Sequence, residues 1–328
     1  MTKKTKKLRR NESVFYADTL VLLLPLAVLA VYRYGLGALC RILSCMLVAV
    51  LCEIIGSLLM KCQRDVSDCS ALFIGAATAL MLPANIPYLI AFSGVSFAVL
   101  AVKLPLGGTQ SAPFVPTAAG FAFMTLCWSD KVFGYPIIGG AIDSVNGLSL
   151  SHMLSLGTSI RPNYANIFDV LTGNYSGPSG AGCIIVLLAG SIYLCLRHRK
   201  SVFNILGFLL SCSIMALLFP RISSNYTHLI SLLMELCSGV LIFSAVFFVT
   251  DPATSPSRPS HRFMYGIFTG IVCMVMRYFS SFEESTCFGV LIANAAWPAI
   301  QIRITKIKKK KQIAPRTSSA VKGDAQNG

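Results

Sequence analysis

The chain has 328 residues, of which 55% are apolar and only 12% are charged, and its mean hydropathy is +0.68. A soluble domain carries about twice that charged fraction, so the composition excludes a soluble enzyme and predicts a helical membrane protein with several spans. The net charge of +15 lies mostly in two tails and short loops, where the positive-inside rule accounts for it, and no nucleic-acid partner is predicted.

Ten apolar segments, taken in chain order, are candidates to cross the lipid bilayer, whose hydrocarbon core is about 30 Å thick. They lie near 19–34, 37–60, 70–82, 86–103, 114–129, 180–196, 201–219, 228–249, 262–279 and 285–303. The third has only thirteen residues, roughly 20 Å of helix, so a half-helix is the alternative to a full span there.

The distribution of Lys and Arg predicts how these segments are oriented. With ten spans, 22 of the 28 basic residues fall on the side of the N-terminus and 6 on the other side. The positive-inside rule then places both termini in the cytoplasm. The predicted regions are a cytoplasmic tail (1–18), a first membrane repeat (19–129), an extracytoplasmic loop (130–178), a second membrane repeat (179–303) and a basic, disordered cytoplasmic tail (304–328).

An internal repeat supports this division into two halves. The stretches "FIGAATALMLPANIP" (73–87) and "IFSAVFFVTDPATSP" (242–256) match at a constant offset of 169 residues. Each is an apolar helix ended by P-A-x-x-P, and the two lie five spans apart, so the second half is inverted relative to the first. Inverted five-span repeats with proline-broken half-helices are typical of transporters and ion-handling proteins. The alternative is a coincidence between two proline-ended helices.

Polar residues within or beside the spans are candidates for transport or coupling. Carboxylates inside a membrane are costly and often mark ion or proton paths, although pairing or snorkelling explains many of them. For Glu53 the pairing alternative is Arg41 on the same span. A polar re-entry follows span eight, where Asx and Ser/Thr turns are the structural alternative. The five candidates are Asp251, Thr254, Ser255, Glu53 and Glu235.

Sites for metals or enzyme catalysis are not indicated. The twelve cysteines contain no CxxC pair and lie mostly in apolar segments, and the four histidines show no metal-ligand spacing. No nucleotide-binding, nucleophile-elbow or zinc-protease motif occurs. We therefore predict neither catalytic residues nor a metal site.

A glycine-rich turn opens the sixth span, in the stretch "LTGNYSGPSGAGCIIVLLAG" (171–190). Free backbone N–H groups at a helix start can hold an anion, and glycines let the anion approach closely. Such turns also serve simply as tight caps.

Residues 247–301, "FFVTDPATSPSRPSHRFMYGIFTGIVCMVMRYFSSFEESTCFGVLIANAAWPAIQ", resemble the C-terminal signature of one family. It is the family of the D subunit of Rnf electron-transport complexes and the B subunit of the sodium-pumping NADH:quinone reductase. The resemblance covers about residues 15–303. It implies a non-autonomous membrane subunit of a redox-driven ion translocase, with the other complex subunits and the lipid bilayer as its partners. An autonomous channel or transporter for a small solute is the alternative.

The resemblance also implies FMN on the outer side, but the chain departs from the family at that site. The family motif resembles P-G-x-x-G-E-T-S, whose threonine forms a phosphoester with FMN, and here Gly182 stands in place of that threonine. Because Gly182 has no hydroxyl, covalent FMN is not expected, and the chain is a divergent member. The turn formed by Gly177, Ser179, Gly180 and Gly182 remains a candidate for holding a flavin phosphate non-covalently. Ser179 as a substitute acceptor, and complete loss of the flavin, are the alternatives.

Overall fold

A computed structural model describes residues 3–60, 69–108, 112–136, 149–155, 167–221 and 228–323 of the chain. Nearly half of the extracytoplasmic loop predicted at 130–178 lies outside these ranges. The described residues form helices joined by turns, with no β-strand among them, which confirms the prediction of an all-helical protein.

The helices follow the chain in two groups separated by three short ones. The first group consists of α1 (Lys3–Tyr34), α2 (Leu36–Leu59), α3 (Ser70–Met81), α4 (Tyr88–Ser96), which continues as a π-helix (Phe97–Lys103), and α5 (Pro116–Cys127). The short helices are α6 (Ser129–Val132), α7 (Leu150–Ser155) and α8 (Ile167–Thr172). The second group consists of α9 (Ile184–Arg197), α10 (Ser201–Leu218), α11 (His228–Cys237), α12 (Leu241–Phe247), α13 (Pro259–Phe279) and α14 (Thr286–Gly323).

Glycine and proline set several of the helix boundaries. Gly35, with φ of 71°, separates α1 from α2, and Gly239, with φ of 65°, lies in the 58° bend between α11 and α12. Proline begins α5 and α13, because its fixed φ suits the first helical turn and its missing N–H is not needed there. Pro83 follows the end of α3, since a proline cannot continue the helical hydrogen-bond ladder.

All ten predicted segments coincide with helices, but few of these helices could cross a membrane alone. Four described stretches are long and apolar enough, namely Ser13–Tyr34, Leu36–Leu59, Ser201–Leu218 and Thr286–Lys306. The bent pair α11–α12 would make a fifth. The polytopic helical class is therefore confirmed, while the number of spans and their inversion stay predictions. The last helix, α14, extends past residue 303 to Gly323, into the segment for which the sequence predicts disorder.

The two short helices α3 and α12 lie at the centre of the bundle. Every residue of α12 is buried, and so is every residue of α3 except Leu72. By contrast, α1, α2, α10 and α14 expose large apolar side chains along one face, as expected for helices that face lipid. A helix that is apolar all round belongs in the interior of a bundle, so these two short helices are enclosed by protein.

Glycines allow several helices to pack backbone to backbone. A Cβ at Gly75 on α3 would lie 2.6 Å from the Cys45 carbonyl oxygen on α2. On α13, Gly266 and Gly270 form a G-x-x-x-G pair, and a Cβ at Gly266 would lie 2.4 Å from the Asn204 carbonyl oxygen on α10. Small residues at helix crossings are the usual means of packing helices in lipid.

Candidate functional site

The loop after α12 is built around Asp251 and the proline that follows it. Because Pro252 disfavours helical geometry at Asp251, the helix ends and the chain turns. The Asp251 N–H donates to the Phe248 carbonyl at 3.3 Å, and the Ser255 N–H donates to the Asp251 carbonyl at 3.0 Å. The loop is therefore a compact, hydrogen-bonded turn rather than an open connection.

The carbonyl end of α12 is held by side chains. The Asn204 Nδ2 on α10 donates to the Val249 carbonyl at 2.6 Å and to Ser255 Oγ at 2.7 Å. Ser255 Oγ in turn donates to the Val249 carbonyl at 3.0 Å. The predicted candidate Ser255 is thus engaged in closing the helix end, and its neighbour Thr254 lies in the same turn.

The Asp251 carboxylate is buried, with 3% of the residue exposed. The Tyr16 hydroxyl on α1 donates to its Oδ1 at 2.6 Å, while no donor among the described residues bonds its Oδ2. Burial raises the pKa of Asp251 to about 6, and hydrogen bonds from Tyr16 and from the backbone of the turn oppose part of that shift. The carboxyl group therefore combines a raised pKa with one oxygen that no donor in the described part of the chain occupies.

A small cavity lies beside this carboxyl group, with room for about one water-sized sphere. Its polar lining comes from Asp251 and Tyr16, from Ser70 at the start of α3, from Thr117 at the start of α5, and from Lys103. The Thr117 hydroxyl is buried and has no hydrogen-bond partner within the described part of the chain. Residues from both groups of helices therefore meet at this cavity.

Lys103 is 2% exposed and ends the π-helix that continues α4. Its Nζ forms an ion pair with the Glu53 carboxylate on α2. The sequence suggested Arg41 as the partner of Glu53, and that pairing is wrong. Arg41 instead donates to the Pro83 and Ala84 carbonyls after α3. One π-helical turn often marks a functional position, and here it directs a lysine to the edge of the cavity.

Glu235 lies elsewhere, in a second charged cluster near the end of α11. Its Oε1 is 2.8 Å from Arg221 Nη2 and 3.4 Å from Arg277 Nε. Arg277 also approaches Glu284 Oε1 at 3.9 Å, and the Ser151 hydroxyl donates to that oxygen at 2.8 Å. Glu235 is therefore paired with two arginines and does not join the cavity.

Beside that cluster, Glu283 accepts a hydrogen bond from the Ser149 hydroxyl. Burial raises the pKa of Glu283 to about 7. Glu283 is not a sequence candidate, because nothing in its neighbourhood distinguishes a buried loop glutamate from a solvated one.

The glycine-rich turn lies at the opposite end of α3 from the cavity. The Ser179 N–H donates to the Leu82 carbonyl at 3.1 Å. The Gly180 and Ala181 N–H groups both donate to the Leu80 carbonyl, at 2.9 and 3.1 Å. The Ser179 hydroxyl donates to the Ala79 carbonyl at 3.2 Å. The four predicted flavin-turn residues are therefore separate from the cavity.

Four polar residues that line the cavity are not among the sequence candidates, namely Tyr16, Ser70, Lys103 and Thr117. Tyr16 lies between the basic tail and the first apolar segment, and Lys103 is the last residue of the fourth predicted segment, where its charge counts among those on the side of the N-terminus. One sequence feature could have indicated that Lys103 is buried: it follows the apolar run directly, with no loop residue between the run and the lysine. Across the ranges that the structure describes, no three His, Cys, Asp or Glu side chains gather as a metal site.

The chain is similar in sequence to known membrane-complex subunits. The chain is 29% identical over 300 residues to the D subunit of the Na(+)-translocating ferredoxin:NAD(+) oxidoreductase complex of Acetobacterium woodii, covering 89% of this chain and 91% of that protein. It is 28% identical over 285 residues to the D subunit of the ion-translocating oxidoreductase complex of Methanosarcina acetivorans, covering 87% of each. It is also 28% identical over 291 residues to the protein of that name from Pseudomonas paraeruginosa, covering 82% of this chain and 83% of that protein.

The similarity extends beyond pairwise relatives. Residues 6–310 match the family described as NQR2, RnfD, RnfE, a range that includes both groups of helices, the loop at Asp251 and the glycine-rich turn. The resemblance at residues 247–301 is thereby confirmed, and the chain belongs to the NQR2, RnfD, RnfE family.

Proposed function

We propose that this chain is the D-type membrane subunit of an Rnf-like complex, in which electron transfer drives cation movement across a prokaryotic plasma membrane. The names of its relatives support this proposal, since they are D subunits of ion-translocating oxidoreductase complexes and align with this chain over most of their length. Electron donors and acceptors would be held by other subunits. The contribution of this chain would be part of the ion path.

The observation that carries the proposal is the Asp251 carboxyl group beside the cavity. A buried carboxylate is costly in a membrane protein unless it is paired with a cation or serves a function. Glu53 and Glu235 have cationic partners, whereas no Lys, Arg or His in the described ranges forms an ion pair with Asp251. Asp251 Oδ2 and the Thr117 hydroxyl, neither of which has a hydrogen-bond partner among the described residues, are hard oxygen ligands of the kind that alkali cations and protons use.

We also propose that the two groups of helices are inverted five-span repeats. Corresponding helices have corresponding neighbours in the two groups. In the first group, α2 packs on α3 and α4, and α4 packs on α5. In the second group, α10 packs on α12 and α13, and α13 packs on α14. Gly120 on α5 and Gly289 on α14 are 169 residues apart, the offset of the sequence repeat, and both lie in tight helix contacts. This arrangement supports α3 and α12 as the paired half-helices around which the ion path is built.

Purification from the native membrane tests the assignment to a complex. A tag on the full chain should bring down other redox-active subunits in fixed stoichiometry. If the chain purifies alone and transports a solute into liposomes without a redox partner, it is an autonomous transporter and the proposal is wrong.

Reporter fusions test the proposed topology. Reporters placed after Lys131 and after Arg199 should signal from opposite sides of the membrane, because a single span separates these two positions in the ten-span arrangement. Signals from the same side would exclude that arrangement.

A further inference from the structure

The glycine-rich turn is docked onto the C-terminal end of α3. Three successive N–H groups, those of Ser179, Gly180 and Ala181, donate to the Leu80 and Leu82 carbonyls at 2.9 to 3.1 Å. The Ser179 hydroxyl adds bonds to the Ala79 carbonyl at 3.2 Å and the Leu80 carbonyl at 3.4 Å. The turn therefore uses its donors inside the protein.

These bonds meet a need that α3 creates. The last carbonyls of any helix lack partners within the helix, and α3 ends inside the bundle, where water does not replace them. Pro83 prevents the chain from supplying the missing N–H groups by continuing the helix. Arg41 covers the next two carbonyls, those of Pro83 and Ala84.

The same bonds leave little with which to hold a phosphate. An anion cradle needs backbone N–H groups aimed at the anion, and three of those in this turn are aimed at α3. The Ser179 side chain is 7% exposed and faces carbonyl oxygens, and Gly182 offers no hydroxyl. The residues present do not fit the flavin phosphate that the family resemblance implies.

The role of Gly180 follows from packing. A Cβ at Gly180 would lie 2.3 Å from Leu80 Cδ2, so the glycine lets the turn reach α3. A Cβ at Gly182 would meet nothing closer than the Tyr175 hydroxyl at 3.3 Å. The glycine that is essential for docking is therefore distinct from the glycine at the flavin-attachment position.

We propose that the turn at residues 177–182 is an internal cap that fixes the end of α3 in place of binding a flavin phosphate. Ser179 and Gly180 are positioning residues for the half-helix, and the chain carries no flavin on this turn. This inference is independent of the assignment to a complex, because its tests use the chain alone.

Hydrogen exchange of the full chain in lipid nanodiscs tests the cap. The amides of residues 179–181 should exchange at least about 100-fold more slowly than the same segment in the denatured chain, because they are bonded and buried. Gly180→Ala should remove most of that protection, while Gly182→Ala, the matched control, should keep it. Fast exchange of these amides in the unsubstituted protein would overturn the proposal without relying on any variant.

Flavin content gives a second, spectroscopic test. The chain is expressed beside an active flavin transferase, with a relative that keeps the threonine as the positive control. We expect flavin fluorescence in the denaturing gel for the relative and none for this chain. Fluorescence that survives denaturation and maps by mass spectrometry to Ser176 or Ser179 would overturn the proposal. Loss of native-state flavin from Gly182→Ala, with amide protection unchanged, would overturn it as well.

Discussion

The ends of α3 and α12 are related by the sequence repeat, yet the structure completes them in different ways. The carbonyls at the end of α3 are met by the glycine-rich turn and by Arg41, and the described residues place no carboxylate among those bonds. The Val249 carbonyl after α12 is met by Asn204 and Ser255, and the next turn adds Asp251 with one free oxygen beside a cavity. One end is closed by its hydrogen bonds, and the other keeps a polar group available.

Each end is also held by the segment that begins the other half. The turn before α9 holds the end of α3, and Tyr16 on α1 holds the loop after α12. A helix that ends at a proline inside a membrane protein needs hydrogen-bond donors for its last carbonyl groups. The other side chains near that end decide whether it can also bind a ligand.

The largest effect is expected from a substitution after α12, where Asp251 lies, and it should be an effect on activity. Asp251→Ala should lower ion-coupled activity of the complex about tenfold or more, because it removes a buried carboxylate that has no cationic partner among the described residues. The amount of protein in the membrane should change little. Asp130→Ala, at an exposed carboxylate, is the control and should leave activity unchanged. If Asp251→Ala eliminates the protein from the membrane, the residue is only a structural cap.

At the end of α3 we expect the opposite result, a loss of protein from the membrane with little change in activity. Arg41→Ala leaves two buried carbonyls without their donor, at a cost of about 1 to 3 kcal/mol, and should lower membrane abundance several-fold. Activity per molecule of assembled protein should stay near normal. Arg41→Lys keeps a donor and should be milder. Full abundance with lost activity in Arg41→Ala would show that this end is functional too.

A matched pair of substitutions tests whether the halves are equivalent in packing. A Cβ at Gly120 would lie 2.6 Å from the Gly94 carbonyl oxygen, and one at Gly289 would lie 2.6 Å from the Cys273 Cα. Replacing either glycine by alanine should destabilise the protein by about 1 to 3 kcal/mol, measured as a lower thermal midpoint in detergent. Gly190→Ala, whose Cβ would meet Leu22 at an ordinary 3.5 Å, is the control. Loss at only one of the two sites would contradict the equivalence.

The smallest expected effect is the part of the pH dependence of stability that comes from Asp251, at the end of α12. Folding raises the pKa of Asp251 from 3.8 to about 6, so between these values the folded protein binds more protons than the unfolded chain. Protonation of Asp251 therefore stabilises the folded protein as pH falls through about 6, and this stabilisation is lost as pH rises through the same value. The thermal midpoint of the unsubstituted protein should rise by a few degrees relative to Asp251→Asn between pH 7 and pH 4. A constant difference would mean that Asp251 does not titrate in this range.

The sequence by itself determined where the helices lie and which of them are broken. Ten apolar segments all proved to be helical, because apolar runs of this length have no stable alternative in a membrane. Pro83 and Pro252 marked the two breaks, since proline lacks the N–H that the helix would need. The 169-residue offset placed the turn that follows Asp251 opposite the turn that follows Leu82.

Only the tertiary structure decided which residues meet. Tyr16 and Asp251 are 235 residues apart, and Lys103 and Glu53 are 50 apart, so their pairing depends on how the helices pack rather than on local pattern. For the same reason the glycine-rich turn could be interpreted from sequence as an anion cradle, although its N–H groups donate to the Leu80 and Leu82 carbonyls at the end of α3, far away in the sequence. Local sequence shows which backbone N–H groups have no hydrogen-bond partner within their own helix. Only the packing of the helices decides which acceptor those N–H groups find.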